Sequence, residues 1–236
     1  MKKNFSIIFA VYFLVISGFL LVTVAGSHAV TVLAENQPVV RLHTVVLDPG
    51  HGGIDGGATS CTGVLESGIN LEISLRLRDI LHLLGIQTVM TRVTDTSIHT
   101  QGNTIAAQKM SDLKERAALV CNTDHALLVS IHQNTFSESR YYGAQVFYAD
   151  DPQSKQLAGQ LQTALGCSLN SGSNRKAKSA QGIYLMEHID CTGVLIECGF
   201  LSNPEEEAKL RNAEYQRKLC CVIASSLSMF LHGNPS

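Results

Sequence analysis

Tryptophan is absent from this 236-residue chain, proline occurs only five times, and charged residues make up only 16%. With 45% hydrophobic residues, that composition excludes a disordered, collagenous or coiled-coil protein and describes an ordinary packed globular chain. A basic surplus is also missing: 18 Lys and Arg stand against 20 Asp and Glu, a formal charge of −2. Without that surplus there is little to grip nucleic-acid phosphates, so DNA and RNA binding are set aside. The seven cysteines, at positions 61, 121, 167, 191, 198, 220 and 221, lack CxxC or finger spacing, and their odd number leaves at least one thiol outside any intrachain pair. They exclude a disulfide scaffold. Cys121, Cys198, Cys220 and Cys221 lie in apolar surroundings and read as small buried hydrophobes.

The N-terminus has a different character. Lys2 and Lys3 are the only charges before Glu35, and an uncharged, mostly apolar run covers residues 5–25. Small residues then stand three and one before two candidate cuts, Ser27 with Ala29 and Val32 with Ala34, the pattern of a secretory signal. The run is also long enough to span a bilayer, so an uncleaved anchor is the competing reading. Residues 1–34 are expected to be a signal peptide or N-terminal membrane anchor, and residues 35–236 one exported domain.

Beyond that point strand-length apolar runs alternate with segments of helical period, and no linker, repeat or low-complexity tract interrupts them. The alternation reads as a single α/β domain. Residues 43–48 are expected to form the first strand, leading into a glycine-rich loop at 49–57. A helix with Ile69, Ile73, Leu77, Ile80, Leu81 and Leu84 on one face follows and stops at Gly85. Further strands are expected at 87–91, 126–131, 144–148, 182–186 and 193–198. A short helix through Leu113 and Arg116, one begun by Asp150, Asp151 and Pro152 that buries Leu157, Leu161, Leu165 and Leu169, and a C-terminal helix burying Tyr215, Leu219, Val222, Ile223 and Phe230 complete the pattern. The polar stretch 92–108 is too long for an ordinary connection and is either mobile or a functional loop that gates a site or docks an accessory protein.

Chemistry-bearing residues fall at strand ends, where open α/β sheets gather their ligands. His51 follows the first strand, His132 the third, and Glu197 closes the last. Glu66 precedes the first helix, joined to His51 by a glycine-rich tether that allows the two side chains to meet. Two His and one Glu with an open fourth position are the donor set of a catalytic zinc site. Each has a plainer reading: His51 as a turn residue, His132 as a hydrogen-bonded core histidine, Glu66 as a helix N-terminal carboxylate. Glu197 is hardest to read as packing, because a carboxylate among Val194, Leu195, Ile196 and Cys198 costs several kcal/mol unless something offsets it.

The run Asp48 Pro49 Gly50 His51 Gly52 Gly53 Ile54 Asp55 Gly56 Gly57 Ala58, then Glu66, then Ser130 Ile131 His132 Gln133 Asn134, then Glu197 Cys198 Gly199 Phe200 Leu201 Ser202 Asn203 resembles the zinc-dependent N-acetylmuramoyl-L-alanine amidases of the bacterial cell wall. The resemblance covers residues 43–231, and its small size, single apolar segment and the stretch from Asn174 to Lys178 are most similar to the germination-specific, spore-cortex branch. It implies a mostly parallel or mixed central sheet of about six strands flanked by helices, phosphorylase/hydrolase-like. It implies Zn2+ held by His51, Glu66 and His132, with Glu197 as the catalytic carboxylate. The substrate implied is peptidoglycan, glycan strands with peptide stems, cut on the way to muramic lactam in the spore cortex. Cys121, where an Asn is common, and Ala126, where an acid is common, depart from the family pattern.

Asp55 and Asn134, with Asp48, are placed to orient the ligands or simply to stabilise turns. Arg175 and Lys178 are placed to meet peptide or muramyl carboxylates, or to form a solvated face. Three rivals stay open: a silent wall-binding or assembly protein on the same fold, a thiol hydrolase using Cys198 or Cys191, and a zinc peptidase cutting within the stem. Against the thiol, Glu197 and Cys198 are adjacent in a strand and should point to opposite faces.

Overall fold

The computed structural model describes residues 43–233, so the N-terminal segment read as signal or anchor lies outside the described residues. The strands are β1 (Thr44–Pro49), β2 (Gln87–Met90), β3 (Ala126–Asn134), β4 (Gln145–Tyr148), β5 (Lys178–Ser179) and β6 (Thr192–Phe200). The helices are α1 (Glu66–Leu83), α2 (Ile105–Cys121), α3 (Pro152–Leu169), α4 (Tyr184–Glu187), α5 (Pro204–Leu210) and α6 (Ala213–Gly233). One six-stranded mixed sheet runs in the order β2-β1-β3-β6-β4-β5. β2, β1, β3 and β6 are mutually parallel, β4 is antiparallel to β6, and β5 is parallel to β4.

The central strands are apolar because both faces are covered. Val45, Leu47, Val129, Ile131, Val194 and Ile196 belong to the larger core, under α1, α3 and α6. Val46, Leu128 and Leu195 belong to the smaller one, under α2 and α4. Strand side chains alternate, so the polar residues that continue this second row toward the C-terminal ends are Asp48, Ser130, His132 and Glu197. Cys198 falls on the other face, in the larger core with 1% exposure, as the alternation predicts.

Local signals set the helix starts. The Asp151 side chain accepts from the Ser154 amide at 2.9 Å ahead of Pro152, and Asn203 accepts from Glu205 and Glu206. Helix α1 has no side-chain cap, since Leu65 occupies the cap position and Glu66 turns inward instead.

Several local expectations need correction. Residues 182–186 are not a strand: Gly182 sits at φ 80, the Ile183 amide closes a turn onto the Ala180 carbonyl, and α4 begins at Tyr184, leaving Lys178–Ser179 as the edge strand. The short helix through Arg116 is a 17-residue helix started by Thr104, whose side chain accepts from the Ala107 amide. His132 and Glu197 stand within their strands rather than at the ends, because β3 and β6 pair beyond them to Asn134 and Phe200. Leu84 is exposed at the C-terminal cap of α1, and Cys121 and Cys221 lie on outward faces of their helices, leaving Cys198 and Cys220 as the buried thiols. The 92–108 stretch is tied down: Asp112 accepts from the Ile98 amide at 2.7 Å and from Ser97 at 2.8 Å, and Ser111 accepts from the Thr100 and Gln101 amides.

Candidate metal centre and catalytic carboxylate

His51, Glu66 and His132 converge, with one ligand atom from each lying within 4.8 Å of the others. Glu66 stands between the two imidazoles, Oε2 at 3.3 Å from His51 Nε2 and Oε1 at 3.1 Å from His132 Nδ1. The same carboxylate accepts from the Ala58 and Gln133 amides and from Asn70 Nδ2, so it is fixed on every side although only 3% exposed. Asp55 Oδ2 lies 2.9 Å from His51 Nδ1, which places the proton there and turns Nε2 toward Glu66.

The loop carrying His51 is built for close approach. A Cβ on Gly50 would stand 2.2 Å from the His132 ring, and one on Gly57 would meet Glu66 Oε2 and the His51 ring at 2.6 Å. His51 itself holds φ 61, a left-handed conformation that costs a non-glycine residue about 1–3 kcal/mol and persists only where its surroundings impose it. Buried Arg116 donates to the His51 carbonyl at 2.7 Å and the Pro49 carbonyl at 2.9 Å, and buried Arg92 donates to the carbonyls of Pro49, Gly50 and Ser67.

Electrostatics agree with that geometry. Burial alone would lower the His51 pKa, but Glu66 and Asp55 outweigh it and raise it to about 9. Burial would raise the Glu66 pKa, yet the two imidazoles hold it far below the usual carboxylate range. A carboxylate kept ionised between two nitrogens is the donor chemistry a divalent zinc-like ion takes, so the residues fit the metal.

Glu197 is paired in register with His132 on the neighbouring strand. Burial, reinforced by the Glu66 charge and opposed by the two histidines, raises its pKa to about 7. Its Oε2 is buried with no hydrogen-bond partner among the described residues. A carboxylate poised near neutrality with an unused oxygen beside a metal-type donor set can accept and return a proton.

The remaining expected residues divide. Asp55 reaches His51. Asp48 does not join the metal group; it accepts from Arg116, Thr91 and Ser130 beneath the loop. Asn134 pairs with Phe200 and offers its carbonyl to the Leu201 amide. Arg175 lies over the Phe200 ring beyond Glu197, whereas Lys178 is exposed on the outer edge strand. Sequence reasoning missed Asn70, Gln133, Arg92 and Arg116. The signal for Asn70 was its place four residues after Glu66, on the buried face of the same helix. Neither Cys198 nor Cys191 is activated as a nucleophile: burial pushes the half-buried Cys191 up to about 12 and the buried Cys198 well above the ordinary thiol value, and a neutral thiol is a poor nucleophile.

Comparison with known proteins places residues 45–228 in the family described as N-acetylmuramoyl-L-alanine amidase. The germination-specific N-acetylmuramoyl-L-alanine amidase of Bacillus subtilis is 39% identical over 181 residues, 76% of this chain and 76% of that protein. A solved structure of the CwlD amidase from Clostridioides difficile in complex with the GerS lipoprotein superposes with a TM-score of 0.78 at 37% identity, covering 81% of this chain and 100% of that one. An N-acetylmuramoyl-L-alanine amidase structure from Clostridium difficile 630 gives 0.71 at 31% identity, covering 81% and 98%.

Proposed function

The chain belongs to the N-acetylmuramoyl-L-alanine amidase family, and from that premise we propose a zinc-dependent hydrolysis in which His51, Glu66 and His132 hold the metal and Glu197 is the general acid/base. Its reaction is that of the family, cleavage of the amide joining N-acetylmuramic acid to L-alanine in peptidoglycan. The observation that carries the residue assignment is the Glu66 carboxylate set between two imidazoles, with the orphaned Glu197 oxygen on the adjoining strand.

Zinc, when bound, supplies a Lewis acid for the carbonyl oxygen and lowers the pKa of water. Asp55 holds a proton on His51 Nδ1, so Nε2 is the nitrogen that would give up its proton and offer a lone pair to the metal. Glu197, with its pKa near 7, takes the proton from the attacking water and returns it to the departing amine of L-alanine.

In this reading residues 1–34 direct export or anchor the chain, and residues 35–236 form the catalytic domain. It acts on the spore cortex, freeing muramic acid for lactam formation during preparation for germination, and similarity to the germination-specific amidase supports that setting. The relative solved with a lipoprotein supports an accessory partner, for which the anchored 92–108 loop beside the His51 loop is our candidate surface, with Gly53 N donating to Asp95 at 3.2 Å.

Mass spectrometry of muropeptides incubated with residues 35–236, with and without zinc and beside Glu197→Gln, tests the proposal. The expected result is zinc-dependent release of whole peptides bearing a free L-alanine amine, lost in the variant. Cleavage within the stem would replace it with a peptidase, and intact muropeptides with bound zinc would replace it with a non-catalytic wall protein.

A further inference from the structure

Phe200, the last residue of β6, pairs with Asn134 where Glu197 pairs with His132; a bulge on β6 between them absorbs one residue, so Phe200 lies about 7 Å beyond Glu197 along the sheet and on the same face. The guanidinium of Arg175 stacks over its ring at 4.8 Å from the centroid. Around that guanidinium a cleft of about 280 Å³ opens between the loops at 140–142 and 172–175, walled by Tyr141, Tyr142 and Ser173. The cleft is built from fixed parts. Arg175 Nε donates to the Tyr142 carbonyl at 3.0 Å, Asn203 Nδ2 to the Tyr141 carbonyl at 3.2 Å, and the Ser173 amide to the Asn170 carbonyl at 2.9 Å. Below it the buried Glu206 carboxylate is engaged by the Gly143 and Phe200 amides.

Two arginines line this cleft, and they differ. Arg140 is 73% exposed and already paired with Glu138 at 2.8 Å. Arg175 is half-buried and makes no ion pair among the described residues; its one hydrogen bond uses Nε, so both Nη groups remain open. A guanidinium seated over an aromatic ring and anchored through Nε, with both Nη groups free, is already arranged for bidentate recognition of a carboxylate.

We infer that Arg175 seats a free carboxylate of the peptide stem, the α-carboxylate of the γ-linked glutamyl residue that follows L-alanine. The inference rests on the amidase reading for which bond is cut. The order along the sheet agrees: with the scissile nitrogen beside Glu197, one alanyl residue of about 3.8 Å carries the stem toward Phe200, and the next residue's carboxylate comes to the Arg175 side. Arg175 thereby selects stems by the charge on their second residue, discriminating the free acid from its amide.

Isothermal titration with the stem tripeptide and with its glutamyl α-amide, on zinc-loaded residues 35–236, tests this without depending on turnover. The wild type is expected to bind the acid at least 10-fold more tightly than the amide. Arg175→Ala is expected to bind both at the amide's level, and Arg175→Lys to keep part of the preference, with thermal melts reporting that each variant folds. An unchanged preference in Arg175→Ala, or none in the wild type, overturns the inference. Muropeptide cleavage reports separately on the amidase reading: failure to cut the muramoyl–L-alanine bond of free-acid stems while the binding preference persists would reject that reading and leave the carboxylate seat standing.

Discussion

Arg116 donates from Nη2 to the carbonyl of His51 at 2.7 Å, so a helix residue 65 positions away holds a metal-type ligand in its left-handed conformation. The same side chain binds Asp48 at 2.6 Å and Asp112 at 2.6 Å, and it is 2% exposed. This buried arrangement joins α2 to the end of β1 and to the loop that carries His51.

Arg116→Met removes the cation and leaves Asp48 buried without its partner, a change expected to cost about 3–5 kcal/mol in urea unfolding. Burial tends to raise the Asp48 pKa, but Arg116, with help from Ser130, His132 and Thr91, lowers it below its ordinary value. A depressed carboxylate contributes stability that is present above its unfolded pKa of about 3.9 and is lost as pH falls through the folded value. The wild type should therefore lose stability on acidification more steeply than Asp48→Asn. Equal acid slopes would show that this carboxylate is not coupled to folding.

Asp55 acts on the metal group through His51, whose Nδ1 its carboxylate meets at 2.9 Å. Asp55→Ala is expected to weaken zinc binding 10- to 100-fold in chelator competition while leaving the unfolding transition nearly unchanged. It also frees Lys109, whose Nζ lies 2.7 Å from Asp55 Oδ1, so Asp55→Asn is the companion that keeps a hydrogen-bonding side chain there. Zinc affinity unchanged in both variants would remove Asp55 from the metal site.

Thiol reagents and chelators should separate cleanly. Cys61, Cys121, Cys167 and Cys221 are exposed, whereas Cys198 is packed in the larger core with its Sγ donating to the Ile196 carbonyl. Alkylation of the folded protein, followed by peptide mapping, is expected to label the exposed thiols and leave muropeptide cleavage unchanged, while a chelator abolishes cleavage and zinc restores it. Loss of activity on alkylation with zinc retained would revive the thiol nucleophile.

The convergence of His51, Glu66 and His132 beside Glu197 was legible because the parts lie in short runs where residue type is dictated by chemistry: glycines around His51, an apolar strand carrying His132, and a carboxylate at Glu197 that apolar neighbours make costly. The face alternation of Glu197 and Cys198 followed from strand period alone. What sequence did not disclose were the supports. Arg116 and Arg92 acquire their role only when α2 and the second residue after β2 are brought beneath the loop, a long-range arrangement that no local pattern encodes. The false strand at 182–186 failed for a related reason: Ile183, Tyr184, Leu185 and Met186 suit a buried strand or a buried helical turn equally, and only the turn at Gly182 decides between them.

Glu197→Gln should separate catalysis from stability in opposite directions. Turnover on muropeptides is expected to fall about 100-fold or more with zinc content unchanged, because the amide can neither take the proton from water nor return it to the amine. In chelator-treated protein the folded pKa of about 7 stands above the unfolded carboxylate value of about 4.3, so between those limits the folded state binds the extra proton. Stability from this group is therefore present below about pH 4.3, declines as pH rises, and is gone above about 7. Glutamine carries no charge to bury, so the variant is expected to melt higher than wild type at pH 8, by about 3 kcal/mol of unfolding free energy, and to match it near pH 4. A variant that keeps near-normal turnover would take Glu197 out of the reaction, and one that gains nothing at pH 8 would mean that its charge is already compensated in the folded protein.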